Sequence, residues 1–228
     1  MSRIKDAQWL GQHNDFLVDA GINHKLHPDV FERFKAMQRA AKRDGIDLQL
    51  VSSYRNFDRQ LAIFNRKWRG EAPILDENSQ PLVSSALSNT DKLHAILMWS
   101  ALPGGSRHHW GTDFDVYDKS SVEQWGGHFN LVENEYEEGG PCYSLASWLE
   151  ENMASFGFFR PFNKHNGGVA REPWHLSHAD TAIQFEDARN VTALENALTQ
   201  SDIEGKTTIL SLLEVLYPRY VLNNGNDK

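Results

Sequence analysis

The stretch Asp113-Phe114-Asp115-Val116-Tyr117 alternates polar and apolar residues, and this pattern constrains the fold more than any other feature of the chain. A strand is expected over Gly111–Tyr117, and a period of two places Phe114 and Val116 on one face of it, and Asp113, Asp115 and Tyr117 on the other. Such a strand rests on a core by its apolar face and carries carboxylates on its reverse. Just before it lies Ser106-Arg107-His108-His109-Trp110-Gly111. Gly111 permits a sharp bend, so His108 before the turn and Asp115 on the returning strand can converge. Farther along, Glu172-Pro173-Trp174-His175 supplies a second imidazole with a glutamate three positions before it. A strand is expected over Ala170 to Ser177, and a kink at Pro173 can bring Glu172 and His175 to one side.

Two His and one Asp can hold a zinc ion with one coordination position left open, and a Glu that is not a ligand can then work on water there. On this reading His108, Asp115 and His175 are the ligands. Glu172 is the general base, moving a proton from water to a departing amine. Each motif alone also fits ordinary surface polar residues; together, each beside a strand and flanked by Trp, they make a metal site as good a reading as that one. Ser52-Ser53-Tyr54-Arg55 stands at the end of another strand. Arg55 there suits a developing oxyanion or a substrate carboxylate, with a surface ion pair as the plain alternative. His109 and His178 are expected at the surface. Asp113 is expected either to orient a ligand through a hydrogen bond or to balance a nearby Arg or Lys.

The rest of the chain frames these motifs. A helix is expected over Pro28–Arg43, with Val30, Phe31, Phe34, Met37 and Ala41 on one face. A strand follows over Ile46–Val51, then a helix over Arg59–Trp68 capped by Asp58. Residues 70–91 read as a surface excursion, a lid over a cleft, ahead of a short helix near Asp91–Ser100. Residues 119–140 read as another polar excursion. Helices are expected over Tyr143–Phe156, Thr192–Gln200 and Lys206–Leu216. The division expected is a catalytic domain over 1–180, with its motif-bearing core at about 28–180, and a helical extension over 181–228.

Composition narrows the function. A formal net charge of −8 argues against a general nucleic-acid binder. Cys142 is the only cysteine, which excludes an intrachain disulfide or a Cys-based zinc site. No run approaches the ~20 apolar residues of a membrane span. The N-terminal residues lack the apolar stretch of a secretory signal, so the expectation is a cytoplasmic protein, or a periplasmic one had a leader been removed.

In order, the three motifs resemble the zinc D-Ala-D-Ala carboxypeptidase family, which includes the vancomycin-resistance carboxypeptidases and dipeptidases. Its wider superfamily, the LAS metallopeptidases, includes murein endopeptidases and the Hedgehog signalling domain. The family pattern Ser-x-His-x-x-Gly-x-Ala-x-Asp is matched by Ser106, His108, Gly111 and Asp115; Glu-x-x-His by Glu172 and His175; and Ser-x-Tyr-Arg with a later Gln by Ser52, Tyr54, Arg55 and Gln60. Asp113 departs from it, standing where the family carries Ala. The resemblance implies an α+β fold in which a small antiparallel sheet, packed with helices, carries the ligands. It implies Zn2+ on His108, Asp115 and His175, with Glu172 as base. Arg55 would steady the scissile carbonyl or the terminal carboxylate, and Ser106, Gln60, Tyr54 and Trp174 would contact substrate. The implied reaction releases the C-terminal D-alanine of a peptidoglycan stem peptide. Its alternatives are an LD-carboxypeptidase or D-Ala-D-Ala dipeptidase acting on cytoplasmic muropeptides or dipeptide, and a zinc-binding interaction module without activity. Glu172 and Arg55 speak against the last.

Overall fold

A computed structural model of the chain describes residues 4–225. It begins with elements that the sequence pattern did not announce: one helical turn, α1 (Asp6–Trp9), and a hairpin of β1 (Val18–Gly21) and β2 (His24–Leu26). All three are too short to show a period. The helix α2 (Pro28–Arg43) has the expected bounds and buries Val30, Phe34, Met37 and Ala41, a stripe at helical spacing. β3 (Leu48–Ser52) follows and delivers Ser53 and Arg55 at its end.

The next helix, α3 (Phe57–Trp68), starts two residues earlier than expected. Asn56, not Asp58, is its cap: Arg59 N–H donates to Asn56 Oδ1 at 2.8 Å. Asp58 sits inside the first turn, where a negative charge favours the helix N-terminus. Residues 70–91 hold a small hairpin of β4 (Ile74–Leu75) and β5 (Pro81–Leu82), and Ser88 caps α4 (Asn89–Trp99).

β6 (Asp113–Asp118) is the alternating strand. The region read as an excursion after it contains α5 (Lys119–Trp125), capped by Asp118, which accepts from Ser121 N–H. That helix buries no side chain fully, so it leaves no apolar stripe to read. α6 (Tyr143–Asn152) passes into a 3-10 turn that ends at Gly157, at φ 84°. β7 (Phe158–Phe159) and β8 (His175–His178) complete the strands. β8 is shorter than the strand expected from Ala170, because His175 N–H donates back to Glu172 O across a turn at Pro173. Three helices end the chain: α7 (Ala179–Glu186), unexpected from sequence, then α8 (Val191–Gln200) and α9 (Lys206–Leu216).

The central sheet is antiparallel in the order β3-β6-β8-β7. On its apolar face, Phe114, Val116 and Leu176 meet α2 and α6, with Phe114 edge-on to Phe34 and Phe158. A second apolar cluster joins Trp9 and residues of α3 and α4 to α7, α8 and α9. The C-terminal helices therefore share one core with segments near the start of the chain.

Candidate metal centre

Three elements deliver the three metal-binding side chains expected from sequence. His108 rides a 3-10 turn (Arg107–Trp110) that Gly111 ends at φ 69°. A Cβ on Gly111 would lie 2.5 Å from Leu17 Cδ2 and 3.1 Å from His27 N, so glycine answers both the bend and the close approach. Asp115 and His175 are direct cross-strand partners on β6 and β8. Their side chains fall on the same face because opposed residues in an antiparallel pair do.

The ligand atoms of His108, Asp115 and His175 all lie within 4.8 Å of one another. His108 Nε2 is 3.3 Å from Asp115 Oδ2, and His175 Nδ1 is 3.3 Å from Asp115 Oδ1. Two imidazole nitrogens and a carboxylate oxygen within 4.8 Å of one another are a donor set that suits a zinc-sized ion. Asp115 Oδ1 is buried with no hydrogen-bond partner, the kind of orphaned acceptor that a cation satisfies.

The nitrogens that face away are fixed. His108 Nδ1–H donates to Ser53 O at 2.9 Å, which leaves the Nε2 lone pair for the centre. His175 Nε2–H donates to Asp113 Oδ1 at 3.0 Å, leaving Nδ1. Asp113 in turn accepts from Arg107 Nε at 2.7 Å, and from the hydroxyls of Thr112 and Ser177 at 2.6 and 3.0 Å. Arg107 continues to Glu186 at 2.6 Å and lies over the Trp110 ring. Asp113 thus hydrogen-bonds His175, a proposed ligand, and also pairs with an arginine. The sequence reading missed Arg107, Ser177 and Glu186. Ser177 was legible as sharing the face of His175 two residues away; nothing local marked Glu186.

Electrostatics follow from this crowding. Burial, reinforced by the Arg55 charge, lowers the pKa of His108 to about 4 and keeps it a neutral donor. Burial opposes charging of His175, yet the adjoining Asp113, Asp115 and Glu172 carboxylates outweigh it and push its pKa well up. Burial disfavours the Asp113 and Asp115 carboxylates, but their cationic and imidazole neighbours hold both well below the usual carboxylate range. Glu172 is displaced the other way, chiefly by burial. Its Oε2 stands 3.2 Å from His175 Nδ1. Two carboxylates, Asp115 and Glu172, face His175 Nδ1, which favours a cation at that point.

His108, His175, Glu172, Arg55 and Ser106 line one cavity of about 240 Å³. Arg55 Nε is buried there with no hydrogen-bond partner. The other three predicted contacts do not line it. Tyr54 donates to Gly11 O at 3.3 Å. Gln60 is buried behind the wall, where it donates to Ala101 O at 2.8 Å. Trp174, one residue from His175, takes the opposite face of the chain and packs against Tyr136. His109 and His178 are corrected as well, since both are buried. His109 Nδ1–H donates to Arg55 O at 2.6 Å while its Nε2 accepts from Gly104 N–H at 3.0 Å, and His178 pairs with Thr181. Neither excursion, 70–91 or 119–140, reaches this cavity; parts of the two line a separate groove.

A family model described as VanY, D-alanyl-D-alanine carboxypeptidase, matches residues 23–181. The chain belongs to the VanY family. That span holds every motif described above and stops inside α7. Among similar proteins, an uncharacterized protein of Haemophilus influenzae is 33% identical over 123 residues, which are 53% of this chain and 93% of that one. A D-alanyl-D-alanine carboxypeptidase of Enterococcus faecalis is 26% identical over 160 residues, 69% of this chain. The match covers only 48% of that enterococcal protein, about half its length. Two solved structures share the fold. A vancomycin resistance D,D-pentapeptidase VanY variant in complex with Zn(II) has a TM-score of 0.53 at 22% identity, covering 78% of this chain and 92% of that one. The LdcB LD-carboxypeptidase has a TM-score of 0.54 at 24% identity, covering 77% and 75%. The α+β architecture with a small antiparallel sheet is thus the architecture of VanY relatives. Among the described residues, no helix is long and apolar enough to cross a membrane.

Proposed function

We propose that this VanY-family chain is a zinc-dependent carboxypeptidase that releases the C-terminal D-alanine of peptidoglycan stem peptides. The observation that carries the reading is the meeting of His108 Nε2, Asp115 and His175 Nδ1 beside Glu172, in a cavity that Arg55 also lines. His108, Asp115 and His175 would hold the zinc. When bound, zinc supplies Lewis acidity and lowers the pKa of a coordinated water to ~7.

The remaining roles fall to the protein. Glu172 accepts a proton from the attacking water and returns it to the departing amine; its raised pKa suits a group that must both take and give a proton. Arg55 brings a buried positive charge with an unpaired Nε, able to meet the oxyanion or the terminal carboxylate. Ser106 lines the same cavity and is available to the peptide. Asp113 and Ser53 O fix the two imidazoles in the tautomers that the ligand set needs.

The test is activity on a panel of pentapeptide, tetrapeptide and D-Ala-D-Ala dipeptide, before and after chelation. Zinc-restored release of terminal D-alanine from pentapeptide supports the reading. Release only from tetrapeptide would make the chain an LD-carboxypeptidase, and release only from dipeptide a dipeptidase. Zinc binding with no hydrolysis would make it an interaction module.

A further inference from the structure

The cavity has an unexpected wall. Beyond the family match, Arg189 and the segment Tyr220–Asn223 line it together with the proposed ligands. This segment follows α9 in a π-helical turn, Tyr217–Val221, and is held at several points. Arg189 Nη1 donates to Val221 O at 2.7 Å. Arg219 Nε donates to Gly167 O at 2.6 Å, and Asn223 Oδ1 accepts from Val169 N–H at 3.1 Å. The Tyr220 hydroxyl lies 3.0 Å from His94 Nδ1. Tyr220 and Val221 belong to the apolar cluster, and a Cβ on Gly105 would come within 3.0 Å of Val221 Cγ2. The segment is thus built into the fold on three sides.

A cavity of about 240 Å³ is smaller than the ~300–1,000 Å³ that takes a drug-sized ligand, so it accommodates the end of a peptide and not a long stretch. A carboxypeptidase substrate is short on the C-terminal side of the scissile bond and long on the other. A fixed wall is compatible with the short side only.

We infer that residues 220–223, stapled by Arg189, form the stop that limits the leaving group to a single small residue, with Leu222 as the side chain that sets the limit. The inference rests on the carboxypeptidase reading. It makes the chain a strict exopeptidase whose length selection comes from outside the family-matched region. Leu222 suits the role because it is half-buried and lines the cavity, and the hydrogen bond that its N–H donates to Tyr217 O is independent of the side chain.

The experiment uses the zinc-loaded full chain and two variants of opposite sense, Leu222→Ala and Leu222→Trp. The probes are stem pentapeptides ending in D-alanine, in a bulky D-residue, or in D-alanine extended by one further residue. For Leu222→Ala, the ratio of kcat/KM on extended and bulky peptides to that on the D-alanine peptide rises about tenfold or more. For Leu222→Trp, the same ratio falls. Circular dichroism and zinc content confirm that both variants are folded; where Leu222→Ala is not, the ratio for Leu222→Trp decides. Wild-type protein that already cleaves the extended peptide as well as the D-alanine peptide overturns the inference, as do variants that leave the ratio unchanged. Absence of D-alanine release from any probe by wild type overturns the carboxypeptidase reading itself, and the inference with it.

Discussion

Phe114 and Val116 on one face of β6, and Asp113 and Asp115 on the other, are all buried, yet the two faces are held in different ways. The apolar pair rests against α2 and α6, where burial is favourable by itself. The acidic pair is tolerated only because Arg107, Thr112, Ser177 and two imidazoles surround it. Burying a carboxylate costs several kcal/mol unless it is paired, so the second face is kept for chemistry and not for stability. One strand thus anchors the fold and presents the site.

The contrast yields predictions that can break it. Phe114→Ala should have the largest effect, lowering stability by about 3–5 kcal/mol in urea denaturation while leaving zinc affinity of the folded fraction within a few-fold. A large loss of zinc affinity in that variant would show that the faces are not separable. Glu172→Gln should cut kcat at least ~10²-fold with zinc content unchanged, by inductively coupled plasma analysis and steady-state rates. Asp113→Asn should weaken zinc binding ~10–100-fold in a competition titration, because His175 loses the anion that orients it. Unaltered affinity there would reduce Asp113 to a partner of Arg107.

A pH prediction concerns His109, which lies behind the site. Burial is the main reason that its folded-state pKa drops to about 3, against 6.5 for the ordinary group. Between those values the unfolded chain binds the extra proton. Stability therefore falls as pH drops from about 6.5 towards 3, by at most ~1.4 kcal/mol per pH unit from this group. His109→Gln should flatten that slope in denaturation curves collected across the window, and an unchanged slope would assign it to other groups.

The acid–apolar alternation of β6 was readable because period two is visible over six residues, and α2 because its stripe runs four turns. His108 and the proposed base Glu172 were readable because Gly111 and Pro173 mark the bends that turn them inward. The misread parts have physical reasons. His109 is satisfied by backbone partners, Arg55 O and Gly104 N–H, that spacing in the sequence does not display, and His178 by the Thr181 hydroxyl three residues on. Glu186 lines the cavity and pairs with Arg107, 79 positions earlier, a separation that no local spacing displays. Residues 70–91 were read as a lid over a cleft on polarity, whereas residues 220–223 wall the cavity through long-range packing.

The most direct test is metal analysis of wild type beside His108→Ala, Asp115→Ala and His175→Ala, joined to X-ray absorption at the zinc edge. The account predicts one zinc per wild-type chain with two imidazole nitrogens and a carboxylate oxygen at ~2.0–2.2 Å, and loss of tight binding in all three variants. Full zinc retention in any of the three, or an absorption spectrum with no imidazole in the coordination sphere, would contradict it.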